Sequence, residues 1–272
     1  MGEPTETPPY DLEPPEVAIS PREKPMGFLE HLEELRWTLV KSAITFAIFA
    51  AAIGFFLQQF NEVLLWPLHF VQANRPEFRL ELGTTSIMEG FTVVLQMCFM
   101  GGLVMSAPFI LFFVGQFVAP ALHDREIKLL LPGCVAAFVL FLLGAAFSFF
   151  LLAPSTIRVS LELKELLGFT QRWTPGNYYS LLTWLVLGVG VAFEFPLVVM
   201  LLVYLELVTV AKLRRWRRHA VIVFFIIAAI VTPTPDPFTQ TALAVPLYAL
   251  YEIAILAASR IEKRRSVLSS AE

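Results

Sequence analysis

LLLPGCVAAFVLFLLGAAFSFFLLAPSTI, residues 129–157, holds no Lys, Arg, Asp or Glu over 29 consecutive positions. About 20 mainly apolar residues in a helix cover the hydrocarbon core of a bilayer, so this stretch can cross one. Working outward from it, further charge-free gaps cover 42–61, 90–123, 173–193, 219–235 and 237–251. With their apolar shoulders they predict six spans, at about 37–59, 90–118, 129–153, 179–205, 219–232 and 238–258. The expected fold is an all-α, polytopic membrane protein. Composition agrees: the 272 residues are 57% hydrophobic and 16% charged. A soluble domain carries roughly 25% charge. The net charge of −3 argues against nucleic acid as a partner.

The 90–123 gap lacks a polar hairpin that could divide it, so it reads as one long helix kinked near Pro108. The fifth and sixth spans are short and separated only by Thr232-Pro233-Thr234-Pro235-Asp236-Pro237. That hairpin is expected to stop short of the full bilayer thickness, with local thinning. Fifteen of the twenty Lys and Arg residues fall on the N-terminal segment, the 119–128 and 205–218 loops and the C-terminal tail. The positive-inside rule then puts both termini in the cytoplasm. No apolar core of a cleavable leader occurs in the first 25 residues.

Residues 1–25 hold seven Pro and six acidic side chains, the composition of a disordered tail. The membrane domain then covers 26–258, and 259–272 form a cytoplasmic tail. Phe28, Leu32, Leu35 and Leu39 share one helical face, which predicts an amphipathic helix along the cytoplasmic surface leading into span one. In the first outer loop Asn61–Val71 reads as a short interfacial helix broken at Pro67. The second, 154–178, ends in the turn signal Thr174-Pro175-Gly176-Asn177. No internal repeat is legible.

Nothing points to catalysis, a cofactor or a metal. His31, His69, His123 and His219 lie on separate segments without metal-ligand spacing. Cys98 and Cys134 sit in apolar runs and read as small hydrophobes. The unusual groups are carboxylates. Glu194 lies inside span four, eleven residues before Leu205, about 16 Å along a helix. An ionised carboxylate at the bilayer centre costs ~2.5–3.5 kcal/mol, so Glu194 must be neutral, paired or facing a wet cavity. Glu34 and Glu126 fall at the cytoplasmic surface. Each alone reads as a solvated charge beside Arg36 or Lys41, and beside Arg125 and Lys128. Together they could grip a guanidinium, since Arg bonds carboxylates through two parallel N–H groups. Asp236 reads as a turn or helix-cap residue.

Several blocks resemble one family. Phe28-Leu29-Glu30-His31-Leu32-Glu33-Glu34-Leu35-Arg36 resembles the N-terminal signature of TatC, the multi-spanning subunit of the twin-arginine translocase. Ser106-Ala107-Pro108 and Phe117-Val118-Ala119-Pro120-Ala121-Leu122 leading to Glu126 are similar to its second span and first cytoplasmic loop. Phe193-Glu194-Phe195-Pro196 matches its fourth-span motif, and Thr234-Pro235-Asp236-Pro237-Phe238-Thr239-Gln240, with Pro246 and Tyr251-Glu252, its last two spans. The resemblance implies a curved, concave six-helix scaffold in the cytoplasmic membrane of a prokaryote. It implies a receptor for signal peptides with two consecutive Arg, carried by folded precursor proteins, with Glu34, Glu126, Phe117 and Arg36 at the binding site. Glu194 would be the polar residue of the concave face. Gln240, Thr234 and Asp236 would contact single-span partner subunits of the TatA and TatB type in a higher-order oligomer within membrane lipid. Pro67 and Pro120 would be structural, Pro67 bending the first outer loop. The chain has no nucleotide site, and the implied energy source is the proton gradient. A proton-coupled small-solute transporter using Glu194 is the alternative reading; a membrane enzyme lacks a constellation to support it.

Overall fold

The computed structural model describes residues 28–75, 82–83, 86–121, 130–168, 173–232 and 236–269. The 1–25 tail, Glu126 and Thr234 lie outside the described residues. Within them the chain is helical, and the one strand-like pairing is an isolated bridge between Leu82 and Trp173. Five helical stretches are long and apolar enough to cross a membrane.

Helix α1 (Phe28–Phe55) has 28 residues. At ~1.5 Å per residue it is about 42 Å long, more than the ~30 Å hydrocarbon core. The expected amphipathic segment is therefore the first turns of the first spanning helix. Leu29, Leu32, Leu35 and Leu39 are exposed along it. The helix ends at Phe55 rather than 59. Instead of one interfacial helix broken at Pro67, two short helices follow, α2 (Leu57–Leu64) and α3 (Trp66–Asn74), meeting at Leu65. Pro67 sits buried in the first turn of α3, where a missing N–H costs nothing.

Helix α4 (Ile87–Val118) is the single long helix expected, with Pro108 inside it. It packs antiparallel on α1 through small residues. A Cβ on Gly102 would sit 2.9 Å from Ala50 Cα, so only glycine permits this approach. A 3₁₀ turn (Ala119–Ala121) carries Pro120, exposed, at the end of α4.

The third span departs from expectation. Helix α5 (Leu130–Phe147) runs through a π-helical turn (Ser148–Leu152) into α6 (Ala153–Leu167), well past 153. Pro154 lies in the first turn of α6. The Ala153 N–H reaches back five residues to the Ser148 carbonyl, and this wider register lets the proline pass without ending the helix. The fourth span is broken instead. Helix α7 (Pro175–Ala192) stops at Phe193-Glu194, and α8 (Phe195–Tyr204) restarts with Pro196 in its first turn. Proline cannot donate to the carbonyl four residues back, so the ladder opens there. A Cβ on Gly144 of α5 would lie 2.8 Å from Phe193 Cγ, which fixes how tightly α5 and α7 cross at the break.

A short basic helix, α9 (Val210–Arg215), leads into α10 (Arg217–Val231). With 15 residues, α10 covers only about 22 Å, short of the hydrocarbon core as expected. Its last carbonyls are partly satisfied from the side: Trp184 Nε1 donates to Ile230 O at 3.2 Å and Thr232 Oγ1 to Ala228 O at 2.8 Å. Helix α11 (Pro237–Ser269) continues past 258, so the expected C-terminal tail begins as helix.

Two apolar clusters hold these elements. One joins α2, α3, α4, α6 and α7 around Leu64, Val71, Met97, Ile157, Tyr178 and Leu182. The other joins α8, α10 and α11 around Val199, Phe224, Leu243, Leu247 and Tyr251. Large apolar side chains elsewhere, such as Ile48, Phe91, Leu143 and Ile226, are exposed, as a lipid-facing surface requires.

Candidate functional site

The antiparallel pairing of α1 and α4 brings the start of one to the end of the other. There the His31 ring stacks on Phe117, with centroids 4.4 Å apart and planes 16° from parallel. Glu34, one turn along from His31, holds Oε2 at 3.9 Å from His31 Nδ1. That is outside hydrogen-bond range, and the shielded Oε2 has no hydrogen-bond partner among the described residues. The result is a half-buried carboxylate with unused acceptor capacity beside a stacked aromatic pair. A guanidinium suits such a place, since it bonds the carboxylate and lies flat on aromatic faces.

Glu34 and Phe117, both expected site residues, thus share one rim, and His31 joins them. His31 lies within the N-terminal signature but is not among the expected site residues. Its i,i+3 spacing to Glu34 was the available signal. Arg36 is exposed on the same helix, but two positions place it about 200° around the axis from Glu34, off this face.

Glu194 occupies the break between α7 and α8. Its backbone carbonyl accepts from Leu197 N at 3.0 Å and Val198 N at 3.2 Å, and its side chain makes no cap bond. Oε1 is buried without a hydrogen-bond partner among the described residues. Leaving such a group unmatched costs ~1–3 kcal/mol, which an incoming donor would recover.

At the opposite end of the molecule, Asp236 caps α11. Its Oδ1 accepts from Thr239 N at 2.7 Å and its Oδ2 from the Thr239 hydroxyl. Gln240 donates through Nε2 to Phe225 O at 2.9 Å, so it ties α11 to α10. Two of the three expected partner-contact residues, Asp236 and Gln240, therefore also hold the start of α11 in place.

Two further polar arrangements escaped the sequence reading. Arg217 Nη2 donates to Glu252 Oε2 at 2.8 Å, and Tyr248 Oη donates to Glu252 Oε1 at 3.0 Å, locking α10 to α11. The signal was Glu252 itself, the first carboxylate after Asp236 in an apolar run. Glu89 Oε1 accepts from Gly176 N at 2.9 Å, so a side chain of α4 caps the start of α7.

The family model described as Sec-independent protein translocase protein (TatC) matches residues 30–246. The TatC protein of Aquifex aeolicus is 32% identical over 251 residues, 90% of this chain and 100% of that one. The TatC protein of Akkermansia muciniphila is 36% identical over 184 residues, 68% of this chain, which spans about half (53%) of that longer relative. A crystal structure described as the twin arginine translocase receptor TatC in DDM is 32% identical, with a TM-score of 0.72 over 84% of this chain and 99% of that one. A multi-pass helical membrane protein so matched along its length is a non-enzymatic protein-transport subunit: this chain belongs to the TatC family of Sec-independent protein translocase proteins.

Proposed function

We propose that this translocase subunit is the receptor and scaffold that binds twin-Arg signal peptides of folded precursors at its cytoplasmic face. In this reading six helices cross the cytoplasmic membrane of a prokaryote, with both termini inside. Residues 26–258 are the membrane domain, 1–25 a tether and 259–272 an inner tail. The observation that carries the proposal is the shielded Glu34 oxygen without a hydrogen-bond partner, beside the His31–Phe117 stack. Glu126, five residues beyond Ala121, supplies the second carboxylate; Arg36, about 200° around α1 from Glu34, stays outside the site. Each Arg–carboxylate contact adds ~1.5–3 kcal/mol. Lys cannot form the same planar fork and is discriminated against.

Single-span partners of the TatA and TatB type dock laterally, with Glu194 offering an acceptor within the membrane and Gln240, Asp236 and Thr234 lying at the outer hairpin. Interhelical polar contacts in membranes average ~0.6 kcal/mol, so such docking is reversible and built from many contacts into a higher-order oligomer. The proton gradient supplies the energy. Capture of a twin-Arg precursor by the purified chain, compared with its twin-Lys version, tests the receptor role. Recovery of the twin-Arg form at least tenfold above the twin-Lys form is expected; equal recovery contradicts it.

A further inference from the structure

Arg158 is the first charged residue after the 29-residue apolar run of α5 and the π turn. It therefore marks where that helix leaves the hydrocarbon, at the end opposite Glu34. It follows the exposed Leu151 by two turns, about 10 Å up the same helix face. Its guanidinium lies over the Phe70 ring, 5.7 Å from the centroid, and no described carboxylate pairs with it.

Beneath it the aromatics form a continuous shelf. Phe70 stacks on Trp66 at 5.0 Å, and Trp66 meets Phe150 edge-on at 4.9 Å. Trp66, Phe70 and Phe150 are 37%, 39% and 55% exposed. Aromatic side chains below a basic one are the arrangement found at the headgroup level of bilayers. Beside Arg158 a shallow, open surface indentation is lined by Val71, Arg75, Arg158, Leu161 and Glu162. Arg75 pairs with Glu162 at 3.4 Å across it. Arg158, paired with no described carboxylate, keeps its positive charge at the edge of this indentation, which complements the single negative charge of a phosphodiester.

We propose that Arg158, beside Arg75, holds the phosphodiester of one phospholipid at the membrane surface opposite Glu34, with its acyl chains along Phe70, Trp66 and Phe150. Arg binds phosphate oxygens through two parallel N–H groups, and the shelf gives the chains a rigid apolar bed. The site needs only that the chain spans a bilayer and is independent of the receptor reading.

The test is native mass spectrometry of the delipidated full chain titrated with phosphatidylglycerol. One tightly retained lipid is expected, with about tenfold weaker retention in Arg158→Gln and no change in Arg214→Gln at the other end. Unchanged retention in Arg158→Gln overturns the site. So does displacement of the lipid by an equal concentration of inorganic phosphate, which would mark a free-anion site, or by an acidic peptide, which would mark a protein-docking one. If Arg158→Gln lowers the lipid-free melting temperature, Phe70→Leu is read instead, with about threefold weaker retention expected and unchanged retention overturning the site. Twin-Arg peptide binding, measured on the same samples, should be unaffected by Arg158→Gln, which separates failure of this proposal from failure of the receptor role.

Discussion

Buried polar side chains in this molecule divide into those that are satisfied and those held in reserve. Tyr178 is fully buried and donates to Leu64 O at 2.6 Å, tying the start of α7 to the end of α2. Its neighbour Tyr179 donates to Asn61 Oδ1. Glu34 and Glu194, by contrast, each keep a shielded oxygen without a hydrogen-bond partner. Tyr178→Phe leaves the Leu64 carbonyl without its donor and should destabilise the chain by ~1–2 kcal/mol. Thermal unfolding in detergent reads this directly, and an unchanged midpoint would show that the bond contributes nothing. The unusual carboxylates were legible in the sequence because a charge inside or beside an apolar run stands out. The His31–Phe117 stack was not: its rings are 86 residues apart in the chain, and their meeting depends on the register of α1 against α4.

Charge-free gaps located a helix at every expected span, since a spanning helix must exclude uncompensated charge. They did not fix where helices break. Pro154 and Pro196 both interrupt backbone bonding, yet one is absorbed by a π turn and the other opens the α7–α8 break at Glu194. The difference lies in what packs alongside: Phe193, at the break, fills the space left by Gly144. Helix ends are equally specific. Asp236 satisfies the start of α11 with two bonds to Thr239. Asp236→Ala should cost ~1 kcal/mol and fray the hairpin, whereas Asp236→Asn keeps most of the cap. Amide hydrogen exchange over 237–243 is the readout. Faster exchange in the alanine variant alone is expected; equal rates in both would exclude a capping role.

For the whole molecule, α1 is the peripheral element. It packs principally on α4, and none of its most apolar stretch is buried, while α8, α10 and α11 share a separate core. The long apolar helices were readable from the charge-free gaps. Which helices pack closely was not, because it turns on small residues such as Gly102 meeting Ala50. The receptor reading depends on the rim where the start of α1 meets the end of α4. The direct measurement is the affinity of the purified full chain for a twin-Arg signal peptide, in wild type, Glu34→Ala and Glu126→Ala. Each variant should bind about tenfold or more weakly, and the advantage of the Arg-Arg over the Lys-Lys peptide should shrink. Wild-type affinity in both variants would contradict the account.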